Sequence, residues 1–215
     1  MLVLKKAGLV YLANPKTATQ SLRAMLAPYA RATPKETGDK HINARIYERK
    51  WAVRITRKLG KRPETFAVMR APMDHLGSWF RYRQRDALRG HENSTYGLTF
   101  AEFVEARLSD DPPPFASIGR QDRFLGFLDD GPPVTYLFDY ADLGRLLHFL
   151  SDRLGARFDM PHRNVSPKTD PDILTLPDAL LARLHKVHEA EFALYDRLHK
   201  DGMIFTPMAP VEAEV

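Results

Sequence analysis

The 215-residue chain contains no cysteine, which removes disulfides, thiolate metal sites and a cysteine nucleophile from consideration. Nor does any apolar stretch approach the ~20 residues that a membrane-spanning helix requires. The first residues, MLVLKKAGLVYLANPK, break their apolar run with Lys5 and Lys6 and offer no small-residue cleavage site. No signal peptide is therefore expected, and a cytoplasmic protein is. Internal repeats and low-complexity segments are also missing. What is present is a composition of 44% apolar and 27% charged residues, enough for one packed domain over residues 1–215. The net charge of +5 and the pI near 9.4 favour anionic partners.

Glycine is missing where a nucleotide-binding loop would need it. A Walker loop reads G-x-x-x-x-G-K-(S/T), but VYLANPKTATQS, residues 10 to 21, has no glycine. An ordinary ATPase or GTPase is disfavoured on that ground. Yet an apolar run ends there at Asn14-Pro15, and Lys16, Thr17, Thr19 and Ser21 stand where a helical pattern begins. Backbone N–H groups at a helix start are unpaired and the helix dipole is positive there, so lysine and hydroxyls at that junction point to phosphate.

The rest of the chain alternates strands with helices. Residues 8–14, 64–70 (ETFAVMR) and 133–138 (PVTYLF) read as short buried strands. Helices are expected from Ser21, over 42–60, over 72–88 with Pro72 in the first turn, over 99–108, 118–128 and 140–155, and as one long closing helix over 177–202. Residues 89–98 read as a mobile polar loop. This order predicts an α/β fold with a central parallel sheet flanked by helices.

Pro15-Lys16-Thr17-Ala18-Thr19-Gln20-Ser21 resembles the phosphosulfate loop of sulfotransferases, Pro-Lys-(Thr/Ser)-(Gly/Ala)-(Thr/Ser)-(Thr/Ser)-Ser, at six of seven positions. That family's second motif is a strand ending in arginine with a serine eight positions later, and FAVMRAPMDHLGSWF supplies Arg70 and Ser78 at that spacing. KHINAR (40–45), YLFDYADL (136–143) and PHRNVS (161–166) are similar, in the same order, to segments of bacterial and Golgi-type carbohydrate sulfotransferases. The resemblance implies a three-layer, P-loop NTPase-like fold. It implies 3′-phosphoadenosine 5′-phosphosulfate (PAPS) as sulfuryl donor, no metal, and a hydroxyl or amine acceptor on a carbohydrate or glycolipid. Lys16, Thr17, Ala18, Thr19, Gln20 and Ser21 would then cradle the 5′-phosphosulfate, while Arg70 and Ser78 would hold the 3′-phosphate. Gln20 departs from the family's hydroxyl residue, and Asp139 stands where a glutamate is usual.

Sulfuryl transfer needs charge stabilised on the leaving oxygen and a proton removed from the acceptor. Lys16 suits the first task. His41, placed just before a helix, is the candidate base, since histidine accepts a proton near neutrality, and Glu36 is the alternative. Ser166 and Lys168, with His162 and Asn164, lie in a proline-rich loop that could contact the donor. His75 and the other helical histidines, with Trp79 and Phe80, read as core or surface residues.

Residues 45–62 carry eight cations on one helix, read either as a solvated face or as a surface for an acidic carbohydrate. Specific nucleic-acid binding is not expected, because no recognised module accompanies that charge. Two other readings remain open at this stage: a non-catalytic binder of acidic or sulfated glycans, and an ATP-using kinase relative.

Overall fold

The computed structural model describes residues 1–30, 41–128, 132–159 and 174–208. Its centre is a five-stranded mixed sheet in the order β1-β2-β3-β4-β5. The strands are β1 (Leu2–Leu4), β2 (Leu9–Tyr11), β3 (Glu64–Met69), β4 (Tyr136–Asp139) and β5 (Met203–Phe205). The inner strands β2, β3 and β4 are parallel, with Tyr11 opposite Phe66 and Phe66 opposite Tyr136. Both outer strands run antiparallel to their neighbours, which corrects the expectation of a parallel sheet. Three-residue edge strands are too short to show a periodicity, so nothing in the residue pattern announces β1 or β5.

Alternation along the strands makes two cores. Val10, Ala67, Met69 and Leu137 face one side, where they pack with Tyr47, Ile55, Leu125 and Leu198. Tyr11, Phe66, Val68 and Phe138 face the other, with Leu22, Leu26, Leu146, Leu150 and Leu154. Burial on both faces is why Phe66–Met69 of β3 reads as an unbroken apolar run. The first layer holds α2 (Ala44–Tyr47), a π-helical turn (Glu48–Ala52), α3 (Val53–Leu59), α6 (Gln121–Leu125) and α9 (Glu189–Asp201). The second holds α1 (Thr19–Leu26) and α7 (Leu143–Leu154). A third cluster joins α4 (Pro72–Arg83), α5 (Phe100–Arg107) and α8 (Asp178–Val187) through Phe80, Phe100, Phe103 and Leu184.

Several expected elements are shorter than their patterns. The closing helix divides at His188, whose φ of −110° and ψ of 22° leave the helical region. Only Gln121–Leu125 of the 118–128 segment is α-helical, and α4 stops at Arg83. The 89–98 segment, expected to be mobile, is pinned at its middle. Thr95 is buried there, donating its hydroxyl to the Phe80 carbonyl at 2.8 Å and its N–H to the Arg83 carbonyl at 3.1 Å. Among the described residues no helix is long and apolar enough to cross a membrane.

Candidate functional site at the carboxyl ends of the parallel strands

The loop from Asn14 to Ala18 leaves the carboxyl end of β2 and enters α1. In open α/β sheets, ligands collect at this end of the strands. Lys16 and Ala18 have φ of 65° and 55°, in the left-handed region that glycine normally supplies. Non-glycine residues held there cost about 1–3 kcal/mol each and persist where surrounding structure compels them, often at functional sites. The fastenings here are explicit. Thr17 is fully buried and donates its hydroxyl to the Asn14 carbonyl at 2.8 Å. Asn14, also buried, donates from Nδ2 to the Val68 carbonyl and to Gln121 Oε1, both at 3.0 Å. The N-cap of α1 is Ala18, so no side-chain oxygen caps the first turn.

Arg70 follows β3 immediately and therefore lies beside this loop. Its backbone N–H donates to Gln121 Oε1 at 3.0 Å, and its carbonyl accepts from Gln121 Nε2 at 2.8 Å. The guanidinium packs over the Tyr140 ring at 4.6 Å, and its Nε, buried, has no hydrogen-bond partner among the described residues. Asp74 Oδ2 is 4.0 Å from that nitrogen, beyond hydrogen-bonding distance, and Asp74 itself is 63% exposed. Backbone bonds and stacking thus hold Arg70 in place while its Nε has no hydrogen-bond partner among the described residues.

Three further cations surround Lys16. Burial first, and then the charges of Arg85, Arg70 and Arg81, bring the Lys16 pKa down from 10.5 to about 8. Arg81 is also lowered, by burial and by Arg70, against a smaller opposing pull from Asp74. Its Nε, like that of Arg70, is buried without a partner among the described residues. Lys16 Nζ sits 4.1 Å from the centroid of the Tyr82 ring, which Arg85 also covers at 4.6 Å. Four cations converge here, and among the described residues Asp74 is the carboxylate that opposes the lowering of Arg81 and lies nearest the Arg70 guanidinium, an arrangement that favours a multiply charged anion.

Two histidines brace the loop. His75, buried in α4, donates from Nε2 to the Pro15 carbonyl at 3.2 Å, directly before Lys16. Burial above all, opposed by Glu191 and the Pro15 carbonyl and reinforced by Arg70 and Lys16, lowers its pKa to about 4. The ring is therefore neutral at pH 7. His41 is exposed and places Nδ1 2.7 Å from the Ala13 carbonyl at the end of the β2 segment. A carbonyl can only accept, so in the neutral ring Nδ1 carries the proton and Nε2 keeps a lone pair. Asn43 then caps the following helix, its Oδ1 accepting from the Ile46 N–H at 2.7 Å.

Of the other expected site residues, Thr19 is half-buried, Gln20 exposed and Ser21 buried on the first turn of α1. Ser78 is buried in α4, one turn before Arg81. Glu36, His162, Asn164, Ser166 and Lys168 lie outside the described residues. Asp139 is buried and accepts from the Ala141 N–H at 2.9 Å, the Tyr195 hydroxyl at 3.2 Å and His199 Nδ1 at 2.7 Å. It ties β4 to α9. Among the described residues no cluster of His, Cys, Asp and Glu could hold a metal ion.

Sequence reasoning missed Gln121. It is 1% exposed, and besides Asn14 and Arg70 it engages Glu191, donating its N–H to Oε1 at 3.0 Å. Glu191 Oε2 accepts from His188 Nδ1 at 3.0 Å. Burial would raise the Glu191 pKa, but hydrogen bonds from His188 and Gln121 outweigh it and hold the carboxyl below its usual range. His75, Arg107, His188 and Glu191 line a cavity of about 10 Å³ behind this network, room for about one water. Asn14 and Arg81 could have been suspected, as a polar residue ending an apolar strand and a cation one turn from Ser78. Gln121 carried no local signal. No protein-family model matches the chain, and no curated protein matches it.

Proposed function

We propose that the chain is a sulfotransferase that uses PAPS as donor, on a P-loop-like scaffold, with a hydroxyl or amine of a carbohydrate or glycolipid as acceptor. One observation carries the reading. Lys16, Arg70, Arg81 and Arg85 converge at the carboxyl ends of β2 and β3 around a loop with two left-handed non-glycine residues. A nucleotide with phosphates at both the 3′ and 5′ positions supplies the charge that such a site lacks, and arginine's fork matches phosphate.

In the reaction, the sulfur–oxygen bond to the donor phosphate breaks and a sulfur–oxygen or sulfur–nitrogen bond to the acceptor forms. The bridging oxygen keeps the electron pair and leaves on the nucleotide, where Lys16 and the start of α1 stabilise its charge. His41 Nε2 takes the acceptor's proton, while the Nδ1 bond to the Ala13 carbonyl fixes the ring.

Calorimetric titration tests the donor site directly. The wild type should bind 3′-phosphoadenosine 5′-phosphate in preference to ATP with Mg2+, and Arg70→Ala should abolish that preference. Binding of ATP in preference to the bisphosphate, or no nucleotide binding at all, would overturn the reading.

A further inference from the structure

Outside the anion site, the strongest unexplained feature is the outer face of α2, the π turn and α3. Arg45, Arg49, Lys50, Arg54, Arg57 and Lys58 are all exposed along it. Between residues 41 and 62 the only carboxylate is Glu48, and Arg62 already engages it at 2.8 Å. The cations repeat at four-residue spacing, Arg45 with Arg49, Lys50 with Arg54 and Arg54 with Lys58. Helix neighbours of like charge repel, and helix faces that merely need to be soluble interleave acids among their bases.

The backbone gives a second, independent mark. Glu48–Ala52 form a π-helical turn in the middle of the segment, a conformation that is rare and concentrated at functional sites. The position gives a third. The segment begins at Asn43, two residues after His41, whose ring is fastened to the end of the β2 segment. From Ala44 to Lys58 the cationic face therefore leads away from the site for about 20 Å.

We infer that this face is a track for an extended polyanion, an anionic polysaccharide whose hydroxyl is presented at His41. Calling the polymer an acceptor rests on the transferase reading; its binding to the helix does not. The surface chemistry selects this occupant. The face exposes no aromatic ring for base stacking, because Trp51 is partly buried against the core and Arg54 lies over it at 5.7 Å. Val53 is its only exposed large apolar side chain, too little for insertion into a bilayer.

The test compares wild type with the triple variant Arg49→Gln, Arg57→Gln, Lys58→Gln, using polyglucuronate as probe at 50 and 200 mM salt. Neutral dextran, poly(U) RNA and phosphatidylglycerol vesicles serve as comparisons. Wild type should bind polyglucuronate and not dextran, more weakly at the higher salt, and the variant should lose about tenfold or more in affinity with a shallower salt dependence. Because the substitutions remove like-charge neighbours, the variant should also unfold at the same or a higher temperature, and it should bind 3′-phosphoadenosine 5′-phosphate as wild type does. Equal polyglucuronate binding by both proteins, or tighter binding of RNA or vesicles than of polyglucuronate, would overturn the inference. Polyglucuronate binding without nucleotide binding would keep the track and sink the transferase reading instead.

Discussion

Gln121 Oε1 lies 3.0 Å from Asn14 Nδ2, and through this contact α6 holds the start of the Asn14–Ala18 loop. The same oxygen accepts the Arg70 N–H, so one amide side chain fixes the spacing between the lysine-bearing loop and the arginine at the end of β3. Replacing Gln121 by leucine would leave a buried Asn14 donor and both the N–H and the carbonyl of Arg70 without this partner, while the backbone N–H of residue 121 would still reach Glu191. The expected loss is about 3 kcal/mol or more, roughly 6–12 °C in Tm for a domain of this size. Urea and thermal unfolding measure it, and a change of less than about 1 kcal/mol would show that the loop does not depend on this residue.

Lys16 should take up a proton when an anion binds. With its pKa at about 8 in the free protein, roughly half of the lysines are neutral at that pH, and a phosphate alongside restores the charge. The bound state then holds more protons than the free state, so affinity should fall as pH rises through 8. Calorimetry with 3′-phosphoadenosine 5′-phosphate at pH 8, in two buffers of different ionisation enthalpy, should report uptake. The uptake should fade at pH 6.5 and vanish in Lys16→Met. Equal heats in both buffers at pH 8 would contradict the assignment.

His75 predicts a loss of stability in mild acid. Its folded pKa of about 4 lies below the ordinary 6.5, so between these values the unfolded chain binds a proton that the folded chain refuses. Stability therefore falls as pH drops through that window, by about 3 kcal/mol from this residue. The charges that face it are Glu191, which opposes the shift, and Arg70 and Lys16, which reinforce it. Denaturant midpoints at pH 7 and 4.5 should differ less in His75→Gln than in wild type. An unchanged difference would assign the acid sensitivity elsewhere.

Ala18 at φ 55° is strained by its own Cβ. Ala18→Gly should relieve about 1 kcal/mol, a gain of about 2–4 °C in Tm for a domain of this size. A lower Tm would mean that added freedom in the unfolded chain outweighs the strain.

The residues by themselves determined the inner strands, because Phe66–Met69 of β3 and Tyr136–Phe138 of β4 are short apolar runs of the kind that strands covered on both faces show. They also determined the junction at Lys16, where residue types and their place between a strand and a helix point to an anion before any long-range contact is known. Arg70 was legible for the same reason, as the residue that follows β3 and stands two positions before a helix opening with proline. Tertiary structure alone decided what joins them. Gln121 is distant in sequence from both Asn14 and Arg70, and a buried hydrogen bond between distant residues leaves no periodicity to read. The same holds for His75, whose helical setting gives no hint that its ring reaches the Pro15 carbonyl. The direction of the edge strands, too, follows from where three-residue segments find unpaired neighbours once the sheet has formed, a choice made by packing rather than by local pattern.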